Sequence, residues 1–112
     1  MRVKTQDLIG PQLDWAVAKC EGYIDNPDSW LYHAKSTGIN NYRPSSNWGL
    51  GGPIIEREWI ELLNGSNLHP HLWGATKHNE DVNPVDAGGP TPLFAAMRCY
   101  VTSKLGDEVD VP

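Results

Sequence analysis

The chain of 112 residues is poor in sulfur and in positive charge, and each shortage closes off a class of function. It has two cysteines, Cys20 and Cys99, too few for the disulfide framework of a small secreted domain and too far apart for the paired ligands of a structural zinc site. Each lies in an apolar helical pattern and reads as a buried free thiol. A bridge between them would need two helices packed on one sheet to bring them together, and no secretory signal favours one. Lys and Arg number nine against fourteen Asp and Glu, for a net charge of −5, and the nine are scattered. Phosphate neutralisation needs grouped cations, so nucleic acid is not the expected partner. No apolar run approaches the roughly 20 residues of a membrane span, and the opening MRVKTQDLIGPQLDW has no signal-peptide core. The expectation is a protein that stays in the compartment where it is made, without a membrane partner.

Glycine, with eleven, and proline, with nine, are plentiful. They cluster between periodic segments, so loops are expected to take a large share of one domain covering residues 1–112. Gly10 to Glu21 reads as a helix: Pro11 suits its first turn, Leu13, Ala16, Val17 and Cys20 recur at helical spacing, and Gly22 stops it. A short strand is expected at Ser29 to Lys35. Ser45, Ser46 or Asn47 is placed to cap a helical turn, which Gly49, Gly51, Gly52 and Pro53 should keep short or irregular. Helical residues are expected to about Arg57, then a strand from Glu58 to Leu63, a turn at Asn64 to Asn67 and a second strand from His71 to Thr76, together an antiparallel hairpin. Lys77 to Gly89 reads as a long loop. The clearest helix runs from a Thr91 cap through Pro92 to Leu105, with Leu93, Met97 and Val101 as core residues and Gly106 as its end. Residues 106–112 are expected to be mobile or lightly docked. The fold class that follows is α+β, a small antiparallel sheet flanked by two main helices.

Chemistry-bearing residues are few. His69, His71 and His78 form a local group, but no third ligand has a fixed spacing, and exposed hairpin surface is the simpler reading, so no metal is expected. The two Gly-Gly-Pro turns lack the Lys-Ser/Thr ending and the spacing of nucleotide-binding loops, so no cofactor is expected. Ser45 and Ser46 lack a nucleophile elbow, which leaves no catalytic residue with a positive signal. Glu56, Glu58 and Glu61 suit either a solvated face or a carboxylate pair for acid and base catalysis. More informative is a run of aromatics with arginines beside it. Tyr42, Arg43, Trp48 and Arg57 combine flat contact area with guanidinium groups and are the candidate ligand-binding residues, the alternative being that the aromatics cover the sheet.

Three blocks, LDWAVAKCEG (Leu13 to Gly22), YRPSSNWGLGGPIIERE (Tyr42 to Glu58) and GPTPLFAAMRCYVTSKLGDEVDVP (Gly89 to Pro112), resemble the NinX-like family of lambdoid bacteriophages. The order of helix, Tyr-x-Pro-Ser segment, hairpin and helix is similar to small phage domains with an α-β-α sandwich. The resemblance implies a phage accessory protein in the cytoplasm of an infected bacterium and carries no assigned activity. Together with the aromatic segment it leads to the expectation of a non-enzymatic binding module that engages a host protein or small molecule. The alternative is a small enzyme on a nucleotide-like substrate, using Glu56 or Glu58.

Overall fold

The computed structural model describes residues 2–23, 42–64, 73–78 and 84–111. The order of its elements is β1 (Arg2–Lys4), one 3-10 turn (Thr5–Asp7), α1 (Gly10–Cys20), α2 (Trp48–Glu58), β2 (Ile60–Asn64), β3 (Trp73–Lys77), β4 (Val85–Gly89), α3 (Pro92–Leu105) and β5 (Glu108–Asp110). The expected strand at Ser29 to Lys35 and the hairpin turn beyond Asn64 lie outside the described residues.

The two predicted helices start and stop where their sequences direct. Gly22, at φ 84°, takes the left-handed position after α1, and Gly22 N–H and Tyr23 N–H close back onto the carbonyls of Lys19 and Ala18. At the other helix, Thr91 Oγ1 accepts from Phe94 N–H at 3.1 Å, and Gly106 ends it at φ 90°. Leu93, Met97, Val101 and the Cys99 thiol are buried as expected, with Tyr100 beside them, but so are Ala95, Ala96 and Arg98. A helix buried on all sides is central to its domain. α3 lies against all three strands of the main sheet on one side and meets α1 and α2 elsewhere on its surface. The α+β architecture is therefore the expected one, with α1 reaching the sheet through α3.

The main sheet is antiparallel in the order β2-β3-β4. β2 pairs with β3 from Ile60↔Lys77 to Asn64↔Trp73, the predicted antiparallel pairing, with its first strand beginning at Ile60 because Glu58 still belongs to α2. Ile60, Ala75 and Ala87 belong to the buried core, and Leu62 packs partly buried against it. Glu61, Leu63 and Asp86, of opposite parity along their strands, are exposed.

Three sequence expectations are corrected. First, the glycine-rich start of α2 does not make that helix short. Asn47 caps it, its side chain accepting from Gly49 N–H at 2.8 Å, and the helix runs eleven residues through Pro53. Gly51 serves packing: a Cβ there would stand 2.5 Å from the Pro44 carbonyl oxygen and 2.7 Å from Leu93 Cδ2. Second, part of the expected loop at Lys77 to Gly89 is strand β4, in register with β3 from Trp73↔Gly89 to Lys77↔Val85. Val-Asp-Ala-Gly-Gly has weak strand propensity, and the close seat of α3 is what makes it a strand, since a Cβ on Gly89 would meet Ala95 N at 2.8 Å. Third, the C-terminal residues are docked. β5 pairs with β1 through Val3↔Val109, and Val109 and Val111 are buried.

Candidate functional site

Tyr42 to Asn47 makes a turn between α1 and α2, and a buried acid holds it in place. The Asp14 carboxylate, on α1, accepts from Ser45 N–H at 2.9 Å. Burial raises the pKa of Asp14, and the hydrogen bonds from Ser45 and the charge of Arg43 only partly offset this. Tyr42 is buried beside α1, its ring edge-on to Tyr23 with centroids 5.7 Å apart, and burial pushes its hydroxyl far above the ordinary tyrosine range. Arg43 is exposed.

The turn carries the chain to Trp48, which opens α2 and is 53% exposed. With Ser45, Ser46, Thr91, Pro92, Leu93 and Phe94 it lines a cleft of about 200 Å³. The starts of α2 and α3 both line it, with Ser46 and Thr91 as its exposed hydroxyl residues and Ser45 buried. Phe94, the chain's single phenylalanine, has the Arg98 guanidinium over its ring, 5.4 Å from the centroid. Arg98 is held in turn, donating to the Leu8 and Gly88 carbonyls at 2.9 Å each.

Arg57 lies in a different setting. Its two terminal nitrogens donate to Glu21 at 2.8 and 3.1 Å, and its Nε donates to Glu58 at 2.9 Å. The guanidinium also donates to the Tyr100 hydroxyl at 3.2 Å, and that hydroxyl donates to Glu21 at 2.7 Å. Glu58 further accepts from Lys77 Nζ at 2.8 Å, with Lys104 at 3.9 Å. One cluster thus joins the end of α1, the end of α2, the middle of α3 and strand β3. The bonds to Glu21 and then Glu58 raise the Arg57 pKa further. For Glu58, burial raises the pKa, but the hydrogen bonds from Lys77 and Arg57 and the nearby charges of Lys77 and Lys104 together leave it lowered. The Cys20 thiol is pushed to about 12, by burial first and by Glu21 second.

The four candidate binding residues therefore divide. Tyr42 and Arg57 both border the Glu21 and Tyr100 side of the fold, one buried and the other engaged in ion pairs, whereas Trp48 faces the cleft. Trp48 and Arg57 are nine residues apart on one helix, or roughly 13 Å along its axis, too far for one small planar ligand to touch both. Sequence reasoning did not find Phe94 as Trp48's partner across the cleft, nor Glu21 and Tyr100 as partners of Arg57. The signal available for Phe94 was its place two residues after Pro92 in a capped Thr-Pro start, within the first turn of the helix. Among the described residues, no group of three His, Cys, Asp or Glu is placed to hold a metal ion. His78 stands exposed 3.7 Å from Glu61, and His69 and His71 lie outside the described residues.

Comparison with known families decides the ancestry. The profile described as Bacteriophage P22, NinX matches residues 4–104, from the end of β1 to the last turn of α3. The chain belongs to the NinX family of phage proteins. No curated protein matches it. The NinX match takes in both the Trp48 cleft and the Arg57 cluster, so each is built from the part of the chain that the family profile covers. Among the described residues, no helix is long and apolar enough to cross a membrane.

Proposed function

We propose that this NinX-family protein is a non-enzymatic binding module that acts in the cytoplasm of the infected bacterium and receives one side chain of a host protein in the Trp48 cleft. The observation that carries this reading is an exposed tryptophan at the mouth of a preformed cleft of about 200 Å³. Pockets that bury a drug-sized or nucleotide-sized ligand run from roughly 300 to 1,000 Å³. The cleft is too small for such a ligand and the right size for a single anchoring side chain, with Trp48 and Phe94 supplying flat contact and Ser46 and Thr91 exposed polar groups.

The alternative, a small enzyme that uses Glu56 or Glu58, draws less support from the geometry. A general acid needs a raised pKa, and the Glu58 carboxylate has a lowered one, with two cations already bonded to it. The test is photocrosslinking in infected cells, with a photoreactive residue at Ser46 in the cleft or at exposed Glu56 outside it. The expected result is a discrete adduct with one host protein from position 46, lost when Trp48→Ala is added and absent from position 56. Equal labelling from both positions, or an adduct indifferent to Trp48→Ala, contradicts the reading.

A further inference from the structure

Among the described residues the main sheet ends at β2, and its backbone geometry fixes which groups of that strand face outward. Gly88 gives its single amide proton to Gln6 Oε1, and its carbonyl accepts from Arg98. Gly88 therefore faces away from β3, and the residues of β4 that exchange backbone bonds with β3 are Val85, Ala87 and Gly89. Alternation then turns Gly74 and Thr76 toward β2, where they meet Leu63 and Glu61. It follows that Ile60, Leu62 and Asn64 point their N–H and C=O groups out of the sheet. Among the described residues, no backbone group pairs with them.

The residue leading into this edge is the second observation. Trp59 has φ 55° and ψ 46°, which makes it the one non-glycine residue with positive φ among those described. Glycine or asparagine is usual at this helix-ending position, because a Cβ there is strained. Trp59 is nevertheless 86% exposed, so burial within the chain does not offset the strain. Leu63, farther along the same strand, is 50% exposed. A strained conformation held for an exposed aromatic residue points to a contact made outside the chain.

We propose that β2 is the interface of a homodimer, in which two copies pair their β2 strands antiparallel about a two-fold axis at Leu62. This register uses all three outward-facing residues of each strand: Leu62 exchanges bonds with Leu62 of the second copy, and Ile60 with its Asn64. An axis at Glu61 or at Leu63 uses only two of the three. The axis at Glu61 also sets two carboxylates directly opposite each other, whereas the axis at Leu62 sets each Glu61, the one charged residue of β2, against a Leu63. Each Trp59 then lies diagonally beside the Leu63 of the other copy, so the contact is self-complementary, as a two-fold interface requires. The two three-stranded sheets become one continuous six-stranded sheet, and neither β2 edge is left open.

The experiment is sedimentation equilibrium of the purified full chain from low micromolar to several hundred micromolar, with two variants alongside. For the unmodified chain, the mass is expected to climb with concentration from 12.4 kDa toward twice that value. Asn64→Pro removes an outward amide that no β3 partner uses, and Trp59→Gly removes the aromatic while relieving the left-handed strain. Each variant is expected to weaken association by about tenfold or more. Trp59→Gly is also expected to keep or raise the thermal midpoint of the dilute protein, which separates an interface role from a folding role. A mass fixed at one chain throughout overturns the proposal, and so does a dimer that both variants leave unchanged.

Discussion

At the scale of single residues, two carboxylates, Asp14 buried and Glu58 partly buried, show why charge alone is a poor guide to role. Glu58 receives hydrogen bonds from Lys77 and Arg57, and its pKa falls below the ordinary 4.5. Asp14 receives a backbone N–H and has Arg43 only as a nearby charge, and its pKa rises above 3.8. The two act on stability with opposite sign. The contribution of Glu58 is fully present above pH 4.5 and is lost as pH falls through its lowered folded value. Asp14 opposes folding above its raised value, and that opposition fades as it is protonated. Urea titrations across an acid pH series are expected to show a shallower loss of stability below about pH 4.5 in Glu58→Gln than in the unmodified protein. Asp14→Asn, which keeps a carbonyl oxygen for Ser45, is expected to make that loss steeper. Parallel curves for all three proteins would show that neither group is set by the partners described. Arg57 illustrates what sequence leaves open at this scale: its charge was legible, but its commitment to Glu21 depends on a partner 36 residues away that only the fold brings within reach.

At the scale of elements, legibility followed local signals. α1 and α3 each carry a proline in the first turn, a periodic apolar stretch and a stop glycine, and α3 a Thr91 cap as well, so both are legible nearly to their ends. β4 carries no such signal, because Asp86, Gly88 and Gly89 form a strand only with α3 seated on them. The length of α2 was hidden for a related reason, since a glycine that permits close packing looks the same in sequence as one that breaks a helix. The glycines of the sheet can be told apart by substitution. Gly89→Ala puts a Cβ 2.8 Å from the Ala95 nitrogen and is expected to cost about 1–3 kcal/mol. Gly74→Ala meets nothing nearer than 3.7 Å and is expected to stay within about 0.5 kcal/mol of the parent. Thermal midpoints measure both, and equal losses would refute the packing assignment of Gly89.

At the scale of the whole molecule, the pattern of elements was enough for an α+β fold and three sequence blocks for the resemblance to a phage family, and the family profile covering residues 4–104 agrees with the second. The candidate site was only half legible. Tyr42, Arg43, Trp48 and Arg57 are close in sequence, but α2 carries Trp48 and Arg57 to opposite ends of a rigid rod and so divides them between a cleft and an ion-pair cluster. Recognition at the cleft and structural closure at the cluster should therefore respond to different mutations. The direct test is a double dissociation, with the affinity for the crosslinked host protein and the urea stability both measured for Trp48→Ala and Arg57→Gln. Trp48→Ala is expected to weaken binding by about tenfold or more with stability within about 0.5 kcal/mol of the parent. Arg57→Gln is expected to lose on the order of 1–3 kcal/mol of stability while its folded fraction binds as the parent does. The opposite pattern, with binding lost through Arg57 and untouched by Trp48, would contradict a recognition site at the Trp48 cleft.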